Sequence, residues 1–543
     1  MVPTCRPAEK GESFFEFVRE FCLDEGRGIR QNRALHRLCS LMRKMEVETV
    51  VVEELPLSHT SVARETSALQ SVYSNAVDIK AHRFTFLSQK ITKAKEALQL
   101  PDRSFLSSAV LINFTPHSGD PYSYLFRAVV ALPRYKHIID GKSYYSLLLN
   151  NYFHIYKTFD CEVGVDNGDE THRFTITGTV FHQQNGVTSV CAHAAVCMAV
   201  NNQNLHPIRV IEPEDINFTL GIDHMAVRLK EDKEIYHADV EKVLRDFNVS
   251  IIEPPKVDDY LYNYLESRCP VLLVFTTGDD SENHIIPIFG HTLNSDMWTP
   301  EAELAYSKET TNRFRMYKSS FSWVDHFLIH DDNFGMYYCL PVQAIKKPIP
   351  GKHRPLRADF AMLIVPRNVS ITPREAERAS MVVLTGLFER LRAERVSFDP
   401  WTDTIARSRP IITRTLLLTK EEYSESLDKT DFDNKTFSAR DRRELTKGLP
   451  PRFWLCEITM PDIYTANHAK VIDFFYRCDD SIGRRSSVRP TARIQKRWIE
   501  KRWIQIRFPG VLYRRNPSSV VKLSVKSHYP LFQFPTDQSI PAW

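Results

Sequence analysis

Cys191 falls at the start of an Ala-rich apolar stretch, Val-Cys-Ala-His-Ala-Ala-Val-Cys-Met-Ala-Val-Asn over residues 190–201, directly after the polar segment His182-Gln-Gln-Asn-Gly186. Twelve residues that are hydrophobic on every side predict a fully buried helix rather than a surface one. A thiol in the first turn of such a helix sits among unpaired N–H groups and positive dipole character, which favour the reactive thiolate. A base must then come from elsewhere in the chain. His284 opens the run His-Ile-Ile-Pro-Ile-Phe-Gly290, and a residue at the start of a strand can project from a sheet edge. Asp331 closes the run Phe327-Leu-Ile-His and could accept the second N–H of the imidazole, which fixes its tautomer. Gln184 or Asn185, just before the helix, could join the Cys191 N–H in an oxyanion hole.

Each of these residues has a competitor. A cysteine in an Ala-rich helix is most often a small hydrophobe, and Cys197 is read that way. His193 lies two residues from Cys191, about 200° around a helix, so it cannot be the base and is read as a packed or hydrogen-bonded histidine. His291 stands at the other end of the His284 run, and His284 is preferred. Asp332 competes with Asp331; alternation along a strand predicts that only one of them faces the imidazole. A metal site built on His330, Asp331 and Asp332 is a further alternative, without a helix-spaced His pair to support it.

The elements that must position these groups are legible in outline. Residues 13–45 read as two short amphipathic helices and 47–57 as a strand. Between 103 and 181, runs rich in Tyr, Phe, Val and Thr predict strands, with Asn167-Gly168 as a hairpin signal. A short helix is predicted at 239–247 and another at 260–267. Pro270-Val-Leu-Leu-Val-Phe, residues 284–290 and 327–331 read as strands. Capping boxes at Thr372-Pro-Arg-Glu375 and Thr419-Lys-Glu-Glu422 open helices, between and after which strands fall at 411–418 and 453–460. The Pro-rich stretch 346–355 is the best linker. The resulting division is an N-terminal accessory region at 1–105, a catalytic region at 106–350 and a C-terminal α/β region at 351–543.

Composition narrows the chemistry. The chain has 543 residues, 43% hydrophobic and 25% charged, which is a globular balance. Only 18 are glycine, about half the usual ~7%. No Gly cluster forms a Rossmann fingerprint or a P-loop, so nucleotide-phosphate chemistry of those kinds is excluded. The ten cysteines include no CxxC pair, which argues against a zinc ribbon and a disulfide framework. No secretory leader or membrane-length apolar run is visible, and the expectation is a cytoplasmic protein without membrane partners.

In order, Gln184…Cys191-Ala-His-Ala, Pro270-Val-Leu-Leu-Val-Phe, Asn283-His284-Ile-Ile-Pro-Ile-Phe-Gly290 and Ile329-His-Asp331-Asp-Asn resemble the papain-like cysteine peptidase superfamily. The likeness is closest to the bacterial branch related to bacteriocin-leader-processing peptidases and covers about residues 175–345. It implies an α+β fold with a papain-like core, in which the nucleophile helix packs on an antiparallel sheet, carrying an N-terminal helix-and-strand extension and a C-terminal α/β domain. It implies a thiol hydrolase that cleaves a peptide or isopeptide bond in a protein or peptide substrate through Cys191, His284 and Asp331, with no cofactor and no metal. The alternatives are a degenerate papain-like binding module, or an acyltransferase or deamidase on the same scaffold. The long segment between His284 and Asp331, containing Trp298 and Tyr306, reads as a lid over the cleft or a plain surface excursion.

The net charge of +4 implies no polyanionic partner by itself. Residues 484–515, however, hold eleven basic residues against the single acid Glu500, with Trp498 and Trp503 interleaved. Arg493, Lys496 and Arg497 could contact a nucleic-acid backbone, but the preferred reading is a basic segment paired with the acidic remainder of the protein.

Overall fold

The computed structural model describes the chain except residues 1–2, 8–13, 24–32, 73–76, 116–120, 140–141, 148–150, 166–169, 204–209, 223–234, 236, 248, 255–256, 258–259, 277–282, 293–303, 311–312, 349–354, 398, 408–409, 429–435, 462–469, 480–500, 517 and 527–543. It is a mixed α+β structure built on three large and mainly antiparallel sheets. The Asn167-Gly168 turn and the segment around Trp298 lie outside the described residues, as do Arg493, Lys496 and Arg497.

The first sheet runs in the order Thr4–Pro7, Thr49–Leu55, Val77–Leu87, Phe105–Thr115, Tyr122–Ala131, Thr171–His182 and Lys157–Gly164. In this sheet Thr49–Leu55 and the four strands between 105 and 182 follow the predicted runs, whereas Thr4–Pro7 and Val77–Leu87 are strands outside those predicted. A division at residue 105 falls inside it, because Phe105–Thr115 is hydrogen bonded along its length to Val77–Leu87. The N-terminal region is therefore part of the sheet that delivers the chain to Cys191.

The second, central sheet is ordered Val249–Ile252, Arg357–Pro366, Val271–Thr276, Asn283–Thr292, His326–Asp331 and Gly335–Pro341. Val271–Thr276 is buried on both faces, as its uninterrupted apolar run requires. Arg357–Pro366 was expected to begin the C-terminal region. Its apolar core, Ala361-Met-Leu-Ile-Val365, instead inserts between Val249–Ile252 and Val271–Thr276, so the division at 350 also crosses a sheet. The short strand Asn151–Phe153 crosses the far end of Asn283–Thr292. A Cβ on Gly290 would lie 2.1 Å from the Tyr152 carbonyl oxygen, so this crossing needs glycine.

The third sheet contains Leu304–Thr310, Arg313–Ser319, Pro410–Thr419, Arg452–Thr459, Ile472–Arg477, Trp503–Phe508, Val511–Arg515 and Val520–Ser524. Its first two strands come from the segment between His284 and Asp331. In place of a lid or a plain surface excursion, strands Leu304–Thr310 and Arg313–Ser319 pair antiparallel with each other, and the second pairs in parallel with Pro410–Thr419. The predicted capping boxes form: Thr372 Oγ1 accepts the Glu375 N–H at 3.2 Å to start helix Pro373–Ala393, and Thr419 does the same for Lys420–Ser426.

Helix Cys191–Asn201 packs between the central sheet and the first sheet. Ala192, Ala195, Val196 and Ala199 pack with Leu272, Val274, Ile285 and Ile364, while Ala194 and Met198 join the core that holds Phe181. Apolar contact on all sides explains why this helix carries no polar face. Among the described residues, no helix is long and apolar enough to cross a membrane.

Candidate active site

Cys191 is the first residue of its helix and partly exposed. Its N–H is one of the four that a helix leaves outside its own ladder. The helix start is fixed from below: the Val190 N–H donates to His193 Nδ1 at 3.2 Å, His193 Nε2 donates to Asn217 Oδ1 at 2.8 Å, and Asn217 Nδ2 donates to the Thr188 carbonyl at 2.9 Å. His193 thus faces the core and organises the helix N-terminus.

His284 is the second residue of strand Asn283–Thr292, and Asp331 ends the neighbouring strand His326–Asp331. His284 Nε2 and Asp331 Oδ2 are 3.0 Å apart. Asp331 Oδ1 accepts the N–H groups of Asn333 at 2.9 Å and Phe334 at 3.1 Å, which fixes the carboxylate. Cys191 is near enough to the imidazole to favour its protonated form. Burial alone would lower the His284 pKa. The hydrogen bond to Asp331 and the closeness of Cys191, with the charges of Asp331 and Asp332, outweigh it and raise the imidazole well above its ordinary value.

Asp332 departs from the strand-alternation expectation. The strand ends at Asp331 and the chain turns, so Asp332 Oδ1 also lies 3.9 Å from His284 Nε2. Its side chain is 1% exposed, and among the described residues neither oxygen finds a hydrogen-bond donor from another residue. Burial, opposed by His284 and reinforced by Asp331, pushes its pKa up to about 7. His330 points the other way: its Nδ1 accepts the Tyr337 N–H at 3.1 Å and its Nε2 meets Thr179 Oγ1 at 2.8 Å. The alternative His330-Asp331-Asp332 grouping is therefore not formed, and it is His284 that faces both carboxylates.

The two amides before the helix separate sharply. Asn185 is fully engaged in its own turn. Its Oδ1 accepts the N–H groups of Val187, Thr188 and Ser189 at 2.8, 2.9 and 3.1 Å, and its Nδ2 donates to Glu65 Oε1 and Thr188 Oγ1, each at 2.7 Å. Gly186 completes the turn with φ of 71°. As an oxyanion donor Asn185 is ruled out by this bonding; it shapes the loop. Gln184 is the amide with room to act: it is partly exposed, and its Nε2 donates to Asn333 Oδ1 at 3.2 Å, across the site from the helix.

No known protein-family model and no curated protein matches this chain.

Several bracing residues carry no motif. Glu65, on helix Ala63–Val72, accepts hydrogen bonds from Asn185, from Tyr124 Oη at 2.5 Å and from Thr188 at 3.3 Å. Arg64 beside it makes a two-bond pair with Asp215, at 2.9 and 3.0 Å, on the helix Pro213–Leu220 that holds Asn217. Arg37 donates to the Met336 and Tyr337 carbonyls, at 3.0 and 2.6 Å, and so holds the edge strand after Asp331. Gly335 lets the helix Arg33–Lys44, which carries Arg37, approach; with φ of 114°, a Cβ there would lie 2.8 Å from Arg37 Cβ. Sequence offered no signal for these contacts beyond polar residues on amphipathic helices.

His291 joins a different cluster. Its Nε2 lies 3.0 Å from Glu266 Oε1, with His154 Nε2 4.0 Å from the same oxygen. Glu266 Oε2 accepts from Arg414 at 2.5 Å, and the chain of buried charges continues through Glu457, Lys470, Asp473 and Arg507. Three described residues of the basic segment are engaged within the protein, Arg507 on Asp473, Arg514 on Glu444 and Arg515 over the Trp503 ring, while Lys501 is exposed.

Proposed function

We propose that the protein is a thiol hydrolase with a papain-like core, which cleaves a peptide or isopeptide bond by way of an acyl-enzyme on Cys191. The observation that carries this reading is the contact of one imidazole with both Cys191 and Asp331 at the mouth of a buried helix N-terminus. His284 takes the thiol proton. The thiolate adds to the carbonyl carbon, and the developing oxyanion is met by the Cys191 N–H and by the Gln184 amide, which turns from Asn333. His284 then returns the proton to the leaving amine as the C–N bond breaks. Water hydrolyses the thioester with His284 again as base, releasing the carboxylic acid and the free thiol. Asp331 is a positioning residue: it fixes the ring and favours its protonated form.

The raised imidazole pKa supports this reading, since a thiolate-imidazolium pair is the reactive form of such a site. The test is labelling of the full-length protein with a peptide-based or ubiquitin-like electrophilic probe. Modification confined to Cys191 and lost in Cys191→Ala and His284→Gln is expected. Equal labelling of wild type and Cys191→Ala would overturn it.

A further inference from the structure

The His284 side of the site contains more negative charge than catalysis requires. One carboxylate suffices to orient an imidazole, yet Asp331 and Asp332 both face Nε2, at 3.0 and 3.9 Å. Among the described residues, neither has a lysine or arginine partner. Asp332 is 1% exposed with no donor from another residue on either oxygen. Buried carboxylates of this kind are normally paired or bound to a cation. The three donor atoms lie within 4.8 Å of one another, a spacing that one metal ion can span.

The geometry points to a regulatory divalent-metal site, formed by His284 Nε2, Asp331 and Asp332, that takes zinc or a similar borderline transition ion and silences Cys191. One imidazole nitrogen and two carboxylates match the donor preference of zinc, and three protein ligands leave a fourth position for water. Cys191 Sγ does not fall within that grouping of donor atoms, so the thiol is not a ligand. The second histidine-carboxylate cluster marks the contrast. His154, His291 and Glu266 have a similar donor spacing, but Arg414 neutralises Glu266 from its other oxygen and would repel a cation. The silencing rests on the thiol-hydrolase reading: a metal on Nε2 displaces the Asp331 contact, and the metal-bound ring cannot hold a second proton taken from Cys191. The metal site itself does not rest on it.

The test is calorimetric titration of the metal-free, full-length protein with zinc, alongside cobalt(II) spectroscopy. One zinc per chain is expected, bound at least tenfold more weakly by the isosteric variant Asp332→Asn and unchanged in Cys191→Ala and His154→Gln. Cobalt should show no thiolate charge-transfer absorption. Affinity unaltered by Asp332→Asn, or a thiolate band in wild type, would overturn the site, and the band does so without depending on any variant's folding. Saturating zinc should slow iodoacetamide alkylation of Cys191 at least tenfold, reversibly with chelator. Unchanged alkylation with zinc bound would overturn the regulatory role. Failure of probe labelling without zinc would count against the hydrolase reading alone.

Discussion

Two buried clusters draw on the same residue types to opposite ends. Around Glu266, histidine and carboxylate are locked into an alternating chain of Arg414, Glu457, Lys470, Asp473 and Arg507 that joins the central sheet to the third. Burial would raise the Glu266 carboxyl, but Arg414 and then His291 hold it well below the usual carboxylate range. Burial, reinforced by His291, pushes the His154 imidazole well below its own ordinary value. At Cys191 the balance is left open. Two carboxylates face one imidazole whose side chain is 20% exposed, and no guanidinium or ammonium of the described residues compensates them. Charge compensation makes the first cluster a structural joint. One imidazole set against two carboxylates leaves the second cluster incompletely compensated and chemically available.

The contrast can be broken most forcefully at His284. His284→Gln should lower the rate of Cys191 alkylation near neutral pH by ~10²–10⁴-fold, the usual worth of a positioned base, with circular dichroism unchanged. His291→Gln should leave alkylation within about twofold. If both histidines mattered equally to the thiol, the division into joint and site would fail.

Arg414→Met attacks the joint. It removes the guanidinium that Glu266 and Glu457 share in the core, and chemical denaturation should register a loss of about 3–5 kcal/mol. Asp331→Asn, by comparison, should cost under about 1.5 kcal/mol, because the amide oxygen keeps its two backbone donors. Its effect should appear in the alkylation rate instead.

Glu65 sharpens the comparison through pH. Burial is the main cause that raises its carboxyl from 4.5 to about 7; Tyr124 and Thr188 oppose it, and Glu214 and Glu212 add to it. A carboxyl raised on folding costs nothing below its unfolded pKa and opposes folding as pH rises through the folded one. Glu65→Gln should therefore match wild type below about pH 4.5 and be more stable above about pH 7, by up to roughly 3 kcal/mol in urea titrations. A pH-independent difference would show that Glu65 is already compensated, as Glu266 is.

The most local effect is expected at Gly335→Ala. The left-handed φ and the contact with Arg37 should cost about 1–3 kcal/mol and loosen the Asp331 turn, read as faster amide exchange at Asn333 and Phe334.

Much of the site was legible because its pieces are local. An apolar run without a polar face identifies the Cys191 helix, and short apolar runs bounded by His and Gly, or closed by Asp, identify the two strands. The choice between Gln184 and Asn185 was not legible, since both are amides before a helix. Only Glu65, 120 residues away, reveals that Asn185 is spent on the loop. Strand alternation misjudged Asp332 because the strand stops one residue earlier, and a turn does not preserve facing. The domain divisions followed composition and proline. Hydrogen bonding ignored them, carrying Arg357–Pro366 into the central sheet and Arg313–Ser319 into the third.

By itself the sequence determined which residues could be nucleophile, base and orienting acid, and on what kind of element each would stand, because periodicity and end signals are properties of contiguous residues. Tertiary structure alone decided which charges are compensated. That depends on Arg414 reaching Glu266 across 148 positions, and on no such cation among the described residues reaching Asp331 or Asp332. Coulomb energy in a buried site depends on distance in space, which position along the chain does not report.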